Sequence, residues 1–157
     1  MDNRTPLIAG NWKMHKTSSE AVETAGRLVE LVADTIDVDI MIAPVFTALD
    51  PVSKVVKNSR VGLGAQNLHW EKEGAYTGEI SATMLVSAGC QYVIIGHSER
   101  RQFFNETDET VNKRIRAAIN AQLIPCLLYT SPSPRDSCIH LVCRLLLEKG
   151  GGGGGGG

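Results

Sequence analysis

QYVIIGHSERRQFF, residues 91–104, is the stretch in which an apolar run gives way abruptly to polar chemistry. Its apolar residues, Tyr92–Ile95, do not alternate with polar ones, which predicts a strand buried on both faces of a sheet. Gly96 ends the run, and the residues that follow it are His97, Ser98, Glu99, Arg100 and Arg101. A polar cluster after a buried strand is typical either of a solvated loop or of a reaction centre, so the other strand ends must decide between the two.

Four further short apolar runs have the same character. They lie at Leu7–Ala9, Asp39–Ala43, Val61–Ala65 and, as an incipient strand, Leu123–Ile124. Helical patterns lie between the runs, and three of them begin at capping signals, namely Thr17 with Glu20 three residues on, Ser81, and Thr107. Strands that alternate with helices predict a parallel sheet of right-handed βα units, so we expect an α/β fold with four such units in succession.

The composition is that of a globular protein, with 43% apolar and 21% charged residues. Lys and Arg number 16 against 17 for Asp and Glu, which provides no electrostatic attraction to nucleic acid or to an anionic membrane. No run approaches the roughly 20 apolar residues of a membrane span, and Met1–Pro6 lacks the apolar core of a secretory signal. We therefore expect a cytoplasmic protein without nucleic-acid or membrane partners.

Cysteine spacing and glycine patterns indicate neither a metal nor a cofactor. The four cysteines, Cys90, Cys126, Cys138 and Cys143, show no CxxC spacing, so neither a zinc site nor a disulfide framework is predicted. No loop with the nucleotide-binding pattern GxGxxG or GxxxxGK[ST] occurs in the sequence before the terminal glycine run. We expect no metal and no cofactor.

Polar groups follow three of the predicted strands. Gly10–Lys13 follows the first, Gln66 and Asn67 follow the third, and Gly96–Glu99 follows the fourth. Ligands of parallel α/β folds bind at the carboxyl ends of the strands, where loops converge and helix N-termini point. Each residue alone is more often structural or solvated, but their recurrence at three equivalent ends favours a binding site.

The residue types at these ends suit an anionic carbonyl substrate. Lys13 offers a cation, and His97 can move a proton or polarise a carbonyl near neutral pH. Asn11 can orient either partner through its amide, and Glu99 has the charge to hold Lys13 in place. A second anion cradle and a carboxylate base are missing, so the pattern predicts a phosphosugar-type site that lacks some of its parts.

Three segments, in this order and spacing, resemble the triosephosphate isomerase family. They are AGNWKMHKT at 9–17, GAQNLHWEKEGAYTGEIS at 64–81, and YVIIGHSERRQFFNETDE at 92–109. The resemblance covers about residues 5–125, roughly half of a (β/α)8 chain of about 250 residues. It implies a (β/α)8 TIM barrel of which residues 1–125 supply only the first four βα units.

The resemblance also implies roles for individual residues. His97 matches the family's electrophile, a neutral histidine at a helix N-terminus that hydrogen-bonds the substrate carbonyl and shuttles protons as the enediolate forms. Asn11 and Lys13 match the substrate-contacting pair, in which the lysine places positive charge near the phosphate and the enediolate. Glu99 matches a carboxylate of the site that is paired with the lysine.

A homodimer is a further implication of the resemblance. The segment 74–79 matches the long third loop that inserts into the other subunit in this family. The residues expected at the dimer interface are Tyr76, Thr77, Gly78 and Glu79.

The activity that the resemblance implies is an intramolecular aldose-ketose isomerisation. It interconverts dihydroxyacetone phosphate and D-glyceraldehyde 3-phosphate in glycolysis and gluconeogenesis, without cofactor or metal. The family's general-base glutamate, its lid and its later phosphate loops have no counterpart in residues 1–125, so the chain as written is expected to be an inactive fragment. Two alternatives stay open: a half-sized, flavodoxin-like α/β module that binds a phosphate ligand, and another (β/α)8 phosphosugar enzyme.

The βα pattern ends after Pro125. The remainder, CLLYTSPSPRDSCIHLVCRLLLEKGGGGGGGG at 126–157, carries Ser-Pro repeats and eight terminal glycines and fits neither strand nor helix. A flexible linker is one interpretation. However, back-translation of 126–136 and of 141–150 permits codons similar to the two ends of a sequencing adapter. We therefore interpret residues 126–157 as a non-native, disordered read-through tail, which removes its cysteines and His140 from the candidates.

Overall fold

The computed structural model describes residues 5–128, in which five parallel strands form one sheet. The strands are β1 (Leu7–Asn11), β2 (Asp39–Ala43), β3 (Val61–Ala65), β4 (Tyr92–Ile95) and β5 (Ile124–Leu127). They pair in chain order, β1-β2-β3-β4-β5. A sequential order is that of a (β/α)8 barrel, whereas in a flavodoxin-like sheet the order of the strands reverses at a switch point. The described fold is therefore a partial (β/α)8 barrel, and the flavodoxin-like alternative is not favoured.

Five helices connect the strands. They are α1 (Ser18–Leu31), α2 (Leu49–Val56), α3 (Ala82–Ser87), α4 (Ser98–Phe103) and α5 (Asp108–Asn120). The N-caps predicted at Thr17, Ser81 and Thr107 are confirmed. The Thr17 amide donates to Glu20 Oε2 at 2.8 Å, and this hydrogen bond lowers the pKa of the Glu20 carboxyl. These caps begin the helices that return the chain to the amino end of the sheet.

The sequence analysis names no start signal for helix α2. Its N-cap is Ala48, which has no side-chain acceptor, and the helix continues directly from a 3-10 turn at Phe46–Ala48. Its buried face, Leu49, Val52 and Val56, packs into the main core. Burial of that face rather than capping therefore accounts for this helix.

The predicted boundary at residue 125 falls inside β5. Cys126 pairs with Ile94 of β4 and is fully buried, and Leu127 pairs with Ile95. Both residues had been assigned to the non-native tail, but their apolar side chains and backbone groups complete a strand of the sheet. The described fold therefore has four βα units and a fifth strand. The rest of the predicted disordered tail, from residue 129, lies outside the described residues.

Strand side chains are buried on both faces of the sheet. One face packs against the helices in a large core that includes Leu63, Val93 and Ile95. The opposite, inner face forms a second cluster of Ala9, Met41, Ala43, Ile94 and Cys126. This double burial explains why the strands appear in the sequence as continuous apolar runs. Within residues 5–128 no helix is long and apolar enough to cross a membrane.

Two glycines of β3 make room for larger inner-face side chains. A Cβ added at Gly62 would lie 2.6 Å from Tyr92 Cε2, and one added at Gly64 would lie 2.9 Å from Met41 Sδ. Both neighbours belong to the inner cluster or pack against it. The inner face is thus filled by Met41 and Tyr92 lying across β3, which leaves no space for a side chain there.

Replacing Gly62 should therefore destabilise the fold. We expect Gly62→Ala to lower the free energy of unfolding by about 1–3 kcal/mol, because the added methyl overpacks the contact with Tyr92. Gly26→Ala is the matched control: this glycine lies within α1 and its added Cβ would come no closer than 4.0 Å to Val55 Cγ1. The control should gain about 0.5–1 kcal/mol from helix propensity. Urea unfolding of both variants measures the difference, and equal effects in the two would contradict this account of β3.

Candidate active site

A cavity of about 190 Å³ lies at the carboxyl ends of β1, β3 and β4. Its lining residues are Asn11, Lys13, Met14, Gln66, His97, Glu99, Arg100 and Phe104. Polar residues predicted at all three strand ends therefore meet in one place, whereas Ser98 and the buried Asn67 do not line the cavity. Parallel strands bring their carboxyl ends to a single edge of the sheet, and that geometry assembles the site.

His97 is held at the start of α4 with one ring nitrogen committed. Gly96 has a φ of 71°, a left-handed conformation that turns the chain from β4 into α4, and His97 is the N-cap. The Glu99 amide donates to His97 Nδ1 at 3.1 Å. Because Nδ1 accepts this bond it carries no proton, so the ring proton lies on Nε2. A buried, oriented imidazole with its donor on Nε2 is suited to polarising a carbonyl.

Lys13 and Glu99 form an ion pair across the cavity, with 2.6 Å between Lys13 Nζ and Glu99 Oε1. Their side chains are 26% and 42% exposed. A pair so accessible to solvent contributes little to stability. Its importance is geometric, because it sets the lysine cation beside the helix turn that carries His97.

The backbone of Lys13 is held in an unusual conformation. Its φ is 53°, in the left-handed region that costs a non-glycine residue about 1–2 kcal/mol. The Lys13 amide donates to Asn11 Oδ1 at 2.9 Å, and the Lys13 carbonyl accepts from Gln66 Nε2 at 2.8 Å. Hydrogen bonds from side chains of two different strand ends thus hold both peptide groups of the lysine.

Arg100 connects the cavity to a buried charge network. Its Nε donates to Glu106 Oε1, and Glu106 Oε1 lies 3.6 Å from Arg114 Nη2. Arg114 Nε donates to the Leu68 carbonyl at 2.9 Å, and burial lowers the pKa of its guanidinium. The network links α4 and α5 to the chain just after β3. It therefore fixes the position of α4, which carries lining residues of the cavity.

The segment expected at a dimer interface lies outside the cavity. Residues 71–79 are all exposed, and neither Thr77 nor any other residue from Tyr76 to Glu79 lines the cavity. The Tyr76 ring packs 4.5 Å from the His69 ring, and a Cβ at Gly78 would meet nothing within 4 Å. The loop is therefore a projecting element with an accessible tip.

The sequence analysis assigns no individual role to four of the lining residues: Met14, Gln66, Arg100 and Phe104. It includes Gln66 only among the polar residues at the strand ends, yet the Gln66 amide donates to two other segments. Arg100 and Phe104 lie on and just after α4, and the helical geometry of 98–103 turns them toward the site. The sequence signal for each was its proximity to a motif residue, which is too weak to separate a lining side chain from a solvated one.

The comparisons with known proteins identify one family. A family model described as triosephosphate isomerase matches residues 6–130, which extends past the end that the resemblance had placed at about 125. The triosephosphate isomerase of Geobacter metallireducens is 60% identical over 120 residues, which cover 76% of this chain and 48% of that protein. That of Geotalea uraniireducens is 57% identical over 120 residues, with the same coverage.

A solved structure has the same fold. The crystal structure of triosephosphate isomerase from Bartonella henselae aligns with a TM-score of 0.75 and 36% sequence identity, over 79% of this chain and 51% of that chain. The chain therefore spans about half the length of the relatives it matches. Because its sequence matches the family model over most of its length and its strands pair in the same sequential order as a (β/α)8 barrel, the chain belongs to the triosephosphate isomerase family.

Proposed function

We propose that this chain supplies part of the active site of a triosephosphate isomerase, which interconverts dihydroxyacetone phosphate and D-glyceraldehyde 3-phosphate. The observation that carries the proposal is the convergence of His97 and the Lys13–Glu99 pair on one cavity at the strand ends. The family membership supports the same reaction. On this basis the whole protein is a cytoplasmic enzyme of glycolysis and gluconeogenesis.

The proposed chemistry assigns one task to each group. His97 Nε2–H donates to the substrate carbonyl and stabilises the enediolate, and the same nitrogen relays the proton between the two oxygens. Lys13 contributes positive charge beside the phosphate and the enediolate, with Asn11 holding its amide and Glu99 its ammonium group. Substrate carbon loses a proton to a carboxylate base and regains it at the neighbouring carbon, so the reaction is balanced without a redox partner.

The carboxylate base is the part that the described cavity does not supply. Among its lining residues in the described range, Glu99 is the single carboxylate, and that group is engaged by Lys13 at 2.6 Å. We propose that the base, a closing lid and the further phosphate contacts come from the other half of the barrel. Isomerase activity then requires both halves.

We also propose that the active protein is a homodimer in which residues 76–79 of one copy enter the partner. Two observations support a second copy as the occupant. Every residue of the loop at 71–79 is exposed, and three large apolar side chains beside the cavity lack cover: Met14, Phe103 and Phe104 are 90%, 66% and 62% exposed. Apolar groups clustered next to a site mark an interaction surface.

The assignment of His97 predicts a specific loss of turnover. In a full-length protein that joins residues 5–128 to the C-terminal half of a relative, His97→Gln should lower kcat by about 10²–10⁴-fold with a smaller change in KM, because the imidazole acts on the transition state. His15→Gln is the control, since His15 is exposed and does not line the cavity. Steady-state kinetics in both directions provide the measurement. A kcat within about twofold of the parent would remove His97 from the mechanism.

The requirement for both halves predicts a complementation result. The 157-residue chain alone should show no turnover above background, whereas co-expression with the C-terminal half of a relative should restore it. Loss of a positioned base alone costs on the order of 10²–10⁴ in rate, and loss of the lid adds to this. Coupled enzyme assays of the purified samples measure the turnover. Lys13→Ala in the co-expressed pair is the control, and it should bind substrate more weakly. Ordinary enzyme rates from the chain alone would show that the base lies within it.

The dimer proposal predicts sensitivity at the loop tip. In the full-length protein, Thr77→Arg should raise the dimer dissociation constant by about 10²-fold or more, because a charge buried without a partner costs several kcal/mol. Asn58→Arg adds the same charge at an exposed residue beyond the amino end of β3 and should leave the constant unchanged. Sedimentation equilibrium measures both. Equal constants for the two variants would place the interface elsewhere.

A further inference from the structure

Gln66 has a side chain that joins three strand ends. It is the first residue after β3, and its single amide nitrogen donates to the Lys13 carbonyl and to the Ala43 carbonyl, each at 2.8 Å. Ala43 is the last residue of β2 and Lys13 lies two residues beyond β1. Both hydrogen atoms of the amide are therefore used, and each goes to a different neighbouring segment.

The Ala43 carbonyl is a shared anchor for the loop after β1. It accepts from the Trp12 amide at 3.1 Å as well as from Gln66 Nε2. Ala43 also pairs in register with Asn11 at the end of β1. The position of Gln66 relative to Lys13 is thus fixed through the sheet itself rather than through a mobile surface contact.

The bond to Lys13 acts on a strained residue. With a φ of 53°, Lys13 occupies a conformation that an unrestrained lysine leaves for negative φ. The Asn11 side chain accepts from the Lys13 amide, and Gln66 donates to the Lys13 carbonyl. Both backbone polar groups of Lys13 are therefore hydrogen-bonded to side chains. The direction in which the lysine side chain leaves the backbone depends on that φ, and its Nζ reaches Glu99 only 2.6 Å away.

We propose that Gln66 is a positioning residue, whose amide holds the Lys13 backbone in its left-handed conformation and thereby sets the lysine ammonium in the cavity beside Glu99 and His97. This inference rests on the proposed function for its consequence, which is a cation placed for an anionic substrate. Gln66 acts through Lys13, so its loss weakens substrate binding and raises KM more than it lowers kcat.

The experiment uses nuclear magnetic resonance on the isotopically labelled 157-residue chain. A strong intraresidue contact between the amide and α protons marks positive φ, and Lys13 should show it in the parent. In Gln66→Met, which keeps the length of the side chain and removes both donors, Lys13 should lose this signature and its ammonium resonance should shift away from that of the Glu99-paired state. Gln122 has a φ of 62°, and the Gln66 amide donates to the Lys13 and Ala43 carbonyls rather than to Gln122, so Gln122 serves as an internal control whose signature should persist.

Gln102→Met is the matched variant, because it makes the same change at an exposed residue of α4. It should leave both Lys13 signals unchanged. The inference is overturned if Lys13 keeps positive φ and its ammonium resonance in Gln66→Met, or if Gln122 loses its signature together with Lys13, since that would show general loosening.

Gln66→Glu provides a second test should the methionine variant fail to fold. Its carboxyl cannot donate when ionised and regains one donor when protonated, so the Lys13 signature should return reversibly as the pH is lowered. His97 and Glu99 face the same cavity, so the parent is followed at the same pH values, where its Lys13 signature should stay constant. A pH-independent signature in this variant, equal to that of the parent, overturns the inference.

The same samples separate this inference from the proposed function. Dihydroxyacetone phosphate is titrated into the parent while the His97 and Lys13 resonances are observed. The positioning role is supported if the resonances of the parent shift on titration and if the apparent affinity of Gln66→Met is at least about tenfold weaker. A tenfold change corresponds to loss of one well-placed charge contact. Failure of the parent to respond counts against the proposed substrate, while the backbone signature of Lys13 still tests Gln66.

Discussion

The parallel, sequential pairing of five strands is the constraint on which the rest of the structure depends. Because β1 to β5 run in one direction and pair in chain order, their carboxyl ends meet at one edge, and the residues after β1, β3 and β4 reach a common cavity. The register of β1 on β2 sets Asn11 beside Ala43, and the Ala43 carbonyl then holds both Trp12 and Gln66. A site of residues separated by 86 positions in sequence, as Lys13 and Glu99 are, is possible only with that alignment.

Two residues at the site have positive φ, although the same conformation also occurs elsewhere in the described residues, for example at Gln122. Lys13 is held by side chains from two strand ends, and Gly96 turns β4 into the helix that His97 caps. Glycine adopts this conformation without cost, whereas lysine needs the surrounding hydrogen bonds to maintain it. The site is therefore rigid at the backbone of Lys13, although the ion pair it makes with Glu99 is accessible to solvent and adds little stability.

The described half of the barrel is well packed but has an open edge at its first strand. Within residues 5–128, β1 pairs only with β2, so it presents an edge that a closed barrel would cover. The sequence predicts a short last strand at Leu123–Ile124, whereas β5 continues through Leu127. Its extension through Cys126 pairs β4 along its whole length and adds the Cys126 side chain to the inner cluster. The chain spans about half the length of the relatives that it matches.

The sequence by itself determined the class of fold, most strand positions and the residues whose side chains are candidates for catalysis or binding. Continuous apolar runs such as Tyr92–Ile95 predict buried strands because both faces must be apolar, and capping residues such as Thr107 mark helix starts through local bonds alone. The resemblance of three motifs then indicated the family, and it implied roles for His97 and Lys13. Only the tertiary structure decided that Gln66 holds Lys13, that Arg100 and Phe104 line the cavity, and that Cys126 belongs to the sheet. Those features depend on the register between strands and on the direction of single side chains, and neither is encoded in a local pattern.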